Sequence, residues 1–92
     1  MRLDLFLKAS RLVLRRSIAR QLCDAGRIDV NGLAAKASKE IKVGDTIEIQ
    51  RGTRRTTVRV LQIPTSKQVS KAGAGELIEI IKDEAAADDL LT

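Results

Sequence analysis

The chain has 92 residues, 43% of them hydrophobic, one cysteine, no histidine and a formal charge of +5. That size holds one modest core. A lone cysteine cannot form an intrachain disulfide and suits a reducing compartment, and the missing histidine removes imidazole metal ligation and histidine acid–base chemistry.

No run of about 18 apolar residues is present to span a membrane. Met1-Arg2-Leu3-Asp4 lacks the apolar block of a secretory signal, so a cytoplasmic location is expected. The charge is polarised along the chain. Residues 1–60 carry 14 Lys and Arg against 6 Asp and Glu, a net +8, and residues 61–92 carry 3 against 6, a net −3. A basic body with an acidic end favours a polyanionic partner, nucleic acid before an acidic membrane surface.

Leu3, Phe6 and Leu7 repeat at helical spacing and predict a short helix over residues 2–9, with Asp4 and Lys8 positioned to pair at i, i+4. Ser17 reads as an N-cap. Ile18, Leu22 and Ala25 form a stripe beyond it, flanked by Ala19 and Cys23, and Gly26 stands where a helix-ending residue with positive φ is wanted. A second helix is therefore expected over residues 17–25.

The period then turns strand-like. Ile28 and Val30 alternate with polar neighbours, Asn31-Gly32 is a strong hairpin-turn signal, and residues 33–37 are expected to return as a strand. Val43-Gly44-Asp45 reads as a turn and residues 46–50 as a strand. Residues 51–55 (RGTRR) read as a basic loop, and residues 56–63 as a strand ended by Pro64. Residues 65–76 read as linker or weak helix, Gly73-Ala74-Gly75 included, and residues 77–81 as a candidate last strand.

The fold expected is α+β, two N-terminal helices packed on a small, mostly antiparallel sheet. Its organisation would be a domain over residues 1–63, a linker with a final strand over 64–81, and an acidic mobile tail over 82–92.

Arg15 and Arg16 precede the expected start of the second helix, where free N–H groups already favour an anion. Positive charge there is unfavourable to an isolated helix, and arginine forks match phosphate oxygens, so the pair reads as a phosphate site facing an external anion. The alternative is that both side chains point into water. Lys8, Arg11 and Arg15 would share a face if that stretch stayed helical. Residues 1–27 hold seven basic residues against two acidic ones.

Phe6 is the sole aromatic residue and lies on the apolar stripe, so base stacking on exposed rings is excluded and backbone and shape would have to be read instead. Cys23 is expected to be a buried, inert thiol. No catalytic constellation, phosphate loop or zinc pattern exists, so no enzymatic activity, metal or cofactor is expected. A peripheral membrane role is disfavoured because the stripe 18–22–25 is small and needed for the core.

The stretches Arg2-Leu3-Asp4-Leu5-Phe6-Leu7, Arg15-Arg16-Ser17-Ile18-Ala19, Gly26-Arg27-Ile28-Asp29-Val30-Asn31-Gly32, Lys36-Ala37-Ser38 and Ile41-Lys42-Val43-Gly44-Asp45, in this order and spacing, resemble the S-four-type RNA-binding domain, or alpha-L motif. The resemblance covers about residues 1–50. It implies two helices on a small sheet, with an RNA-facing surface that would include Arg2, Lys8, Arg11, Arg15, Arg16, Arg20 and Arg27, extended by Lys36 and Lys39. The Asn31-Gly32 turn would be structural.

Among stand-alone members, the chain is more similar to the short ribosome quality-control group than to the longer heat-shock group, whose tail is strongly basic. That similarity implies binding to large-subunit ribosomal RNA and peptidyl-tRNA on obstructed subunits, in support of a NEMF-type tail-adding factor. The protein would be a ribosome-associated monomer. A targeting module for an RNA-modifying enzyme, a structural ribosomal protein and a general structured-RNA binder would use the same surface. Leu5 stands where the short relatives often carry a basic residue, and residues 65–92 match no motif.

Overall fold

Leu3, Phe6 and Leu7 all point inward from the first helix, α1 (Leu3–Ala9), and are fully buried. The computed structural model describes residues 1–65 and 69–85. After α1 follow α2 (Arg16–Asp24), β1 (Ile28–Val30), β2 (Leu33–Ala34), β3 (Thr46–Arg51), β4 (Arg54–Val60), α3 (Lys71–Gly75) and β5 (Ile78–Ala85). The five strands form one antiparallel sheet in the order β2-β1-β3-β4-β5. The helices and the sheet share a core of Leu3, Phe6, Leu7, Val13, Ile28, Ile41, Ile47, Val58 and neighbours. Two helices on a small antiparallel sheet is the expected α+β architecture.

α1 has no side-chain N-cap. Its first N–H groups are met by the segment that follows β2: Leu3 N–H donates to the Lys39 carbonyl (2.8 Å) and Asp4 N–H to that of Ala37 (3.1 Å). The orphan donors of a helix start are thus satisfied by backbone more than thirty residues away. An Arg2–Glu40 bridge and an Ile41 N–H donated to the Met1 carbonyl (2.9 Å) hold the same crossing.

α2 begins at Arg16, one residue before the expectation, with Arg15 as its N-cap and no side-chain cap bond; Ser17 lies inside the helix. Its buried residues are Ala19 and Cys23, while Ile18 is 39% exposed, Leu22 half-buried and Ala25 exposed. Of the apolar stripe expected over Ile18, Leu22 and Ala25, Leu22 packs against the core while Ile18 and Ala25 lie outside it. Arg16, Ala19, Arg20 and Cys23, at helical spacing, face α1, because two of those arginines have a partner there. Between the helices the chain turns at Ser10–Arg15, with Arg11 at φ 61. The segment does not stay helical, so Lys8, Arg11 and Arg15 do not form one helix face.

Gly26 has positive φ as expected, and Asn31 (φ 53) and Gly32 (φ 85) make the two-residue turn that pairs Val30 with Leu33. Two successive positive φ values define the hairpin turn that this dipeptide favours. β2 is two residues long, shorter than the expected 33–37. The anticipated basic loop 51–55 is a tight hairpin: Arg51 pairs with Arg54 across Gly52-Thr53, so Arg54 and Arg55 belong to β4. Gly73-Ala74-Gly75 lies in α3, whose N-cap Ser70 accepts the Gly73 N–H (3.0 Å).

β5 runs through Ala85, so residues 82–85 are strand where composition suggested the start of a tail. The rest of that predicted tail, residues 86–92, and residues 66–68 of the predicted linker lie outside the described residues.

Candidate nucleic-acid interface

Asp4 sits in the first turn of α1, where a carboxylate suits the partial positive charge of the helix start. It is fully buried. Buried charge is tolerated only when paired and hydrogen-bonded, and Asp4 is paired three times. Arg16 Nε (3.0 Å) and Arg20 Nε (3.1 Å) both donate to Oδ2. Arg2 donates from Nε to Oδ1 (3.2 Å) and from Nη2 to Oδ2 (3.5 Å), and the Leu5 N–H donates to Oδ1 (2.9 Å). Arg16 and Arg20 stand one turn apart on α2, so one carboxylate joins the two helices. The expected Asp4–Lys8 pair does not form.

Burial pushes the Asp4 carboxyl up. Hydrogen bonds from Arg16 and Arg20, then the Arg16 charge and the Leu5 N–H, outweigh it and hold the group below its ordinary value of 3.8. The carboxylate stays ionised at neutral pH.

Three guanidiniums around one carboxylate leave a surplus of two positive charges. The Arg2, Arg16 and Arg20 side chains remain 44%, 36% and 51% exposed. Asp4 fixes Arg16 and Arg20 through Nε, and their terminal nitrogens make no hydrogen bond among the described residues. A guanidinium anchored at Nε keeps its outer nitrogens for a second oxygen acceptor, the geometry that suits phosphate. Satisfying Asp4 alone would not require three arginines.

Arg15, the α2 N-cap, and Arg11, in the preceding turn, are exposed, and Lys8 is exposed in the last turn of α1. Arg27 is exposed just before β1, its carbonyl accepting the Gln50 N–H (2.9 Å). Lys36 and Lys39 are exposed and line one hollow in the segment that caps α1. The structure thus brings together Arg2, Arg16 and Arg20, and separately Lys36 and Lys39. No hydrogen bond or ion pair among the described residues joins Lys8, Arg11, Arg15 and Arg27 to either group.

Sequence reasoning paired Asp4 with Lys8 and missed its role as the common acceptor of Arg2, Arg16 and Arg20. Its signal was present in an acidic residue set among Leu3, Leu5 and Phe6, next to Arg2. Arginines of the basic hairpin are paired across the sheet: Arg54 with Asp83 of β5 (2.7 Å), Arg55 with Glu48 of β3 (3.1 Å) and Arg59 with Glu79 of β5 (4.0 Å). Asn31 is structural, its Oδ1 accepting the Thr46 N–H (2.9 Å) and its Nδ2 donating to Asp45 (3.1 Å). Burial, with the nearby Asp4 and Asp24 charges, pushes the Cys23 thiol up to about 11. Among the described residues no cluster of His, Cys, Asp and Glu suits a metal ion, and no helix is long and apolar enough to cross a membrane.

Two short helices on a small sheet, with an arginine cluster across the helices, define an S4-type RNA-binding domain. Residues 1–47 match the S4 domain, and the chain belongs to that family. Within it the chain belongs with the RQC P-site tRNA stabilizing factors: the protein of that name from Streptococcus pneumoniae is 40% identical over 90 residues, covering 98% of this chain and 100% of its own. Among solved structures, that of the hypothetical protein HP1423 (39% identical, TM-score 0.78) covers 91% of this chain and 100% of its own. The trimeric heat shock protein 15 of Vibrio cholerae (30% identical, TM-score 0.78) covers 87% of this chain and 80% of its own.

Proposed function

We propose that this chain is a non-enzymatic RNA-binding adaptor of ribosome quality control. It docks as a monomer on large ribosomal subunits obstructed by peptidyl-tRNA, contacts ribosomal RNA and the tRNA, and supports C-terminal tailing of the stalled chain by a NEMF-type factor. The observation that carries the reading is the surplus of Arg2, Arg16 and Arg20 around the buried Asp4, a preset group of donors for phosphate oxygens. Arg11, Arg15, Lys8, Arg27, Lys36 and Lys39 extend that surface. The names of the similar proteins support the ribosomal setting.

Contacts of this kind fix register on folded RNA without reading its sequence, which suits a factor that holds tRNA in place. The test is affinity capture of the tagged chain from cells, with sequencing of the bound RNA and identification of bound proteins. Free large subunits with peptidyl-tRNA and a tail-adding factor are expected. Recovery of complete translating ribosomes, or of bare tRNA alone, would overturn the reading.

A further inference from the structure

β2 ends after two residues, and the chain then leaves the sheet to cap α1. This path leaves a hollow of about 280 Å³ between the strand edge and the crossing segment, lined by Val30, Leu33, Ala34, Ala35, Lys36, Ser38 and Lys39. Its walls are aliphatic. Leu33 is 74% exposed, although nothing in the fold requires a long apolar side chain on that short edge strand. The Lys36 and Lys39 ammonium groups enter no ion pair among the described residues, and the Ser38 hydroxyl makes no hydrogen bond there.

These features describe a ligand. It has an apolar body and polar edges and carries negative charge toward the crossing segment that holds Lys36 and Lys39. The volume is at the lower end of small-molecule sites, which run from roughly 300 Å³ upward, so it admits one ring system and excludes a helix. Single-stranded RNA loops present such groups when their bases are splayed out between phosphates.

We propose that this hollow receives one unstacked base of the bound RNA, against Leu33 and Val30, while Lys36 and Lys39 hold the phosphates flanking it. The proposal rests on the RNA-binding reading above and adds a base contact to a surface otherwise built for backbone. Aliphatic walls replace the aromatic platforms that this chain lacks, with Phe6 fully buried.

The test uses the full chain and two stem-loop RNAs of identical backbone, one with a four-uridine loop and one with that loop abasic. The base-bearing loop is expected to bind about tenfold more tightly, the effect of removing roughly 50 Å² of apolar base surface from water. Leu33→Ser, at an exposed position, should bring the two within about twofold while leaving abasic binding unchanged. Lys36→Glu with Lys39→Glu should weaken both probes. Equal, tight binding of both loops by the natural chain would overturn the base site and leave the RNA-binding reading standing. Failure to bind either would overturn both. Leu33-dependent capture of a leucine-containing acidic peptide, without preference between the loops, would reassign the hollow to a protein partner.

Discussion

Replacing Asp4 by asparagine removes the one negative charge on which Arg2, Arg16 and Arg20 converge. Breaking a buried ion pair from one side costs about 3–5 kcal/mol. Here the three arginines are 36–51% exposed and can turn toward water, which lowers the expected loss to about 2–3 kcal/mol. A chain of 92 residues holds roughly 5–14 kcal/mol in all, so the change is large and still leaves a folded protein. Urea unfolding measures it directly.

RNA affinity supplies the sharper readout. Asp4→Asn raises the net charge by one, and simple attraction would then tighten binding to any RNA. The arrangement described here predicts the opposite, a loss of about fivefold at fixed salt, because the guanidiniums are no longer held in one geometry. Unchanged stability together with tighter RNA binding would refute the idea that Asp4 organises the surface.

Acid should act through the same carboxylate. Its folded-state pKa lies below the unfolded value, so its contribution is present above about pH 4 and is lost as pH falls through the folded pKa; urea midpoints measured from pH 6 to pH 2 should fall less steeply in Asp4→Asn than in the natural chain. Arg16→Ala should weaken RNA binding by about 1–3 kcal/mol and also cost about 1 kcal/mol of folding stability, since it removes a charge-assisted bond to a buried acceptor. Comparing filter binding with thermal melting separates the two effects. Cys23, buried with its thiol raised to about 11, should react with iodoacetamide at pH 8 far more slowly than in denaturant.

Turn chemistry carried most of the fold from sequence into structure. Gly26 and Asn31-Gly32 mark positive-φ positions that few residues accept, and the strands around them fall where the alternation of Ile28, Val30, Ile47 and Ile49 places them. The second helix was legible in its existence and not in its facing. Ile18 and Leu22 are its largest apolar residues, yet the small Ala19 and Cys23 take the buried side, and Arg16 and Arg20 beside them reach the Asp4 carboxylate. A partner 12 and 16 residues away leaves no mark in local spacing, which is why i, i+4 reasoning assigned Asp4 to Lys8. The extension of β5 through Asp83 and Glu84 was hidden for a related reason: an edge strand reaching beyond the core can be polar throughout.

The most direct measurement is the affinity of the chain for purified large ribosomal subunits with and without peptidyl-tRNA, each compared with Arg16→Ala. Markedly tighter binding to the peptidyl-tRNA-bearing subunits is expected, with a loss of that binding in the variant. Equal affinity for both kinds of subunit, or an Arg16→Ala variant that binds as well as the natural chain, would contradict that expectation.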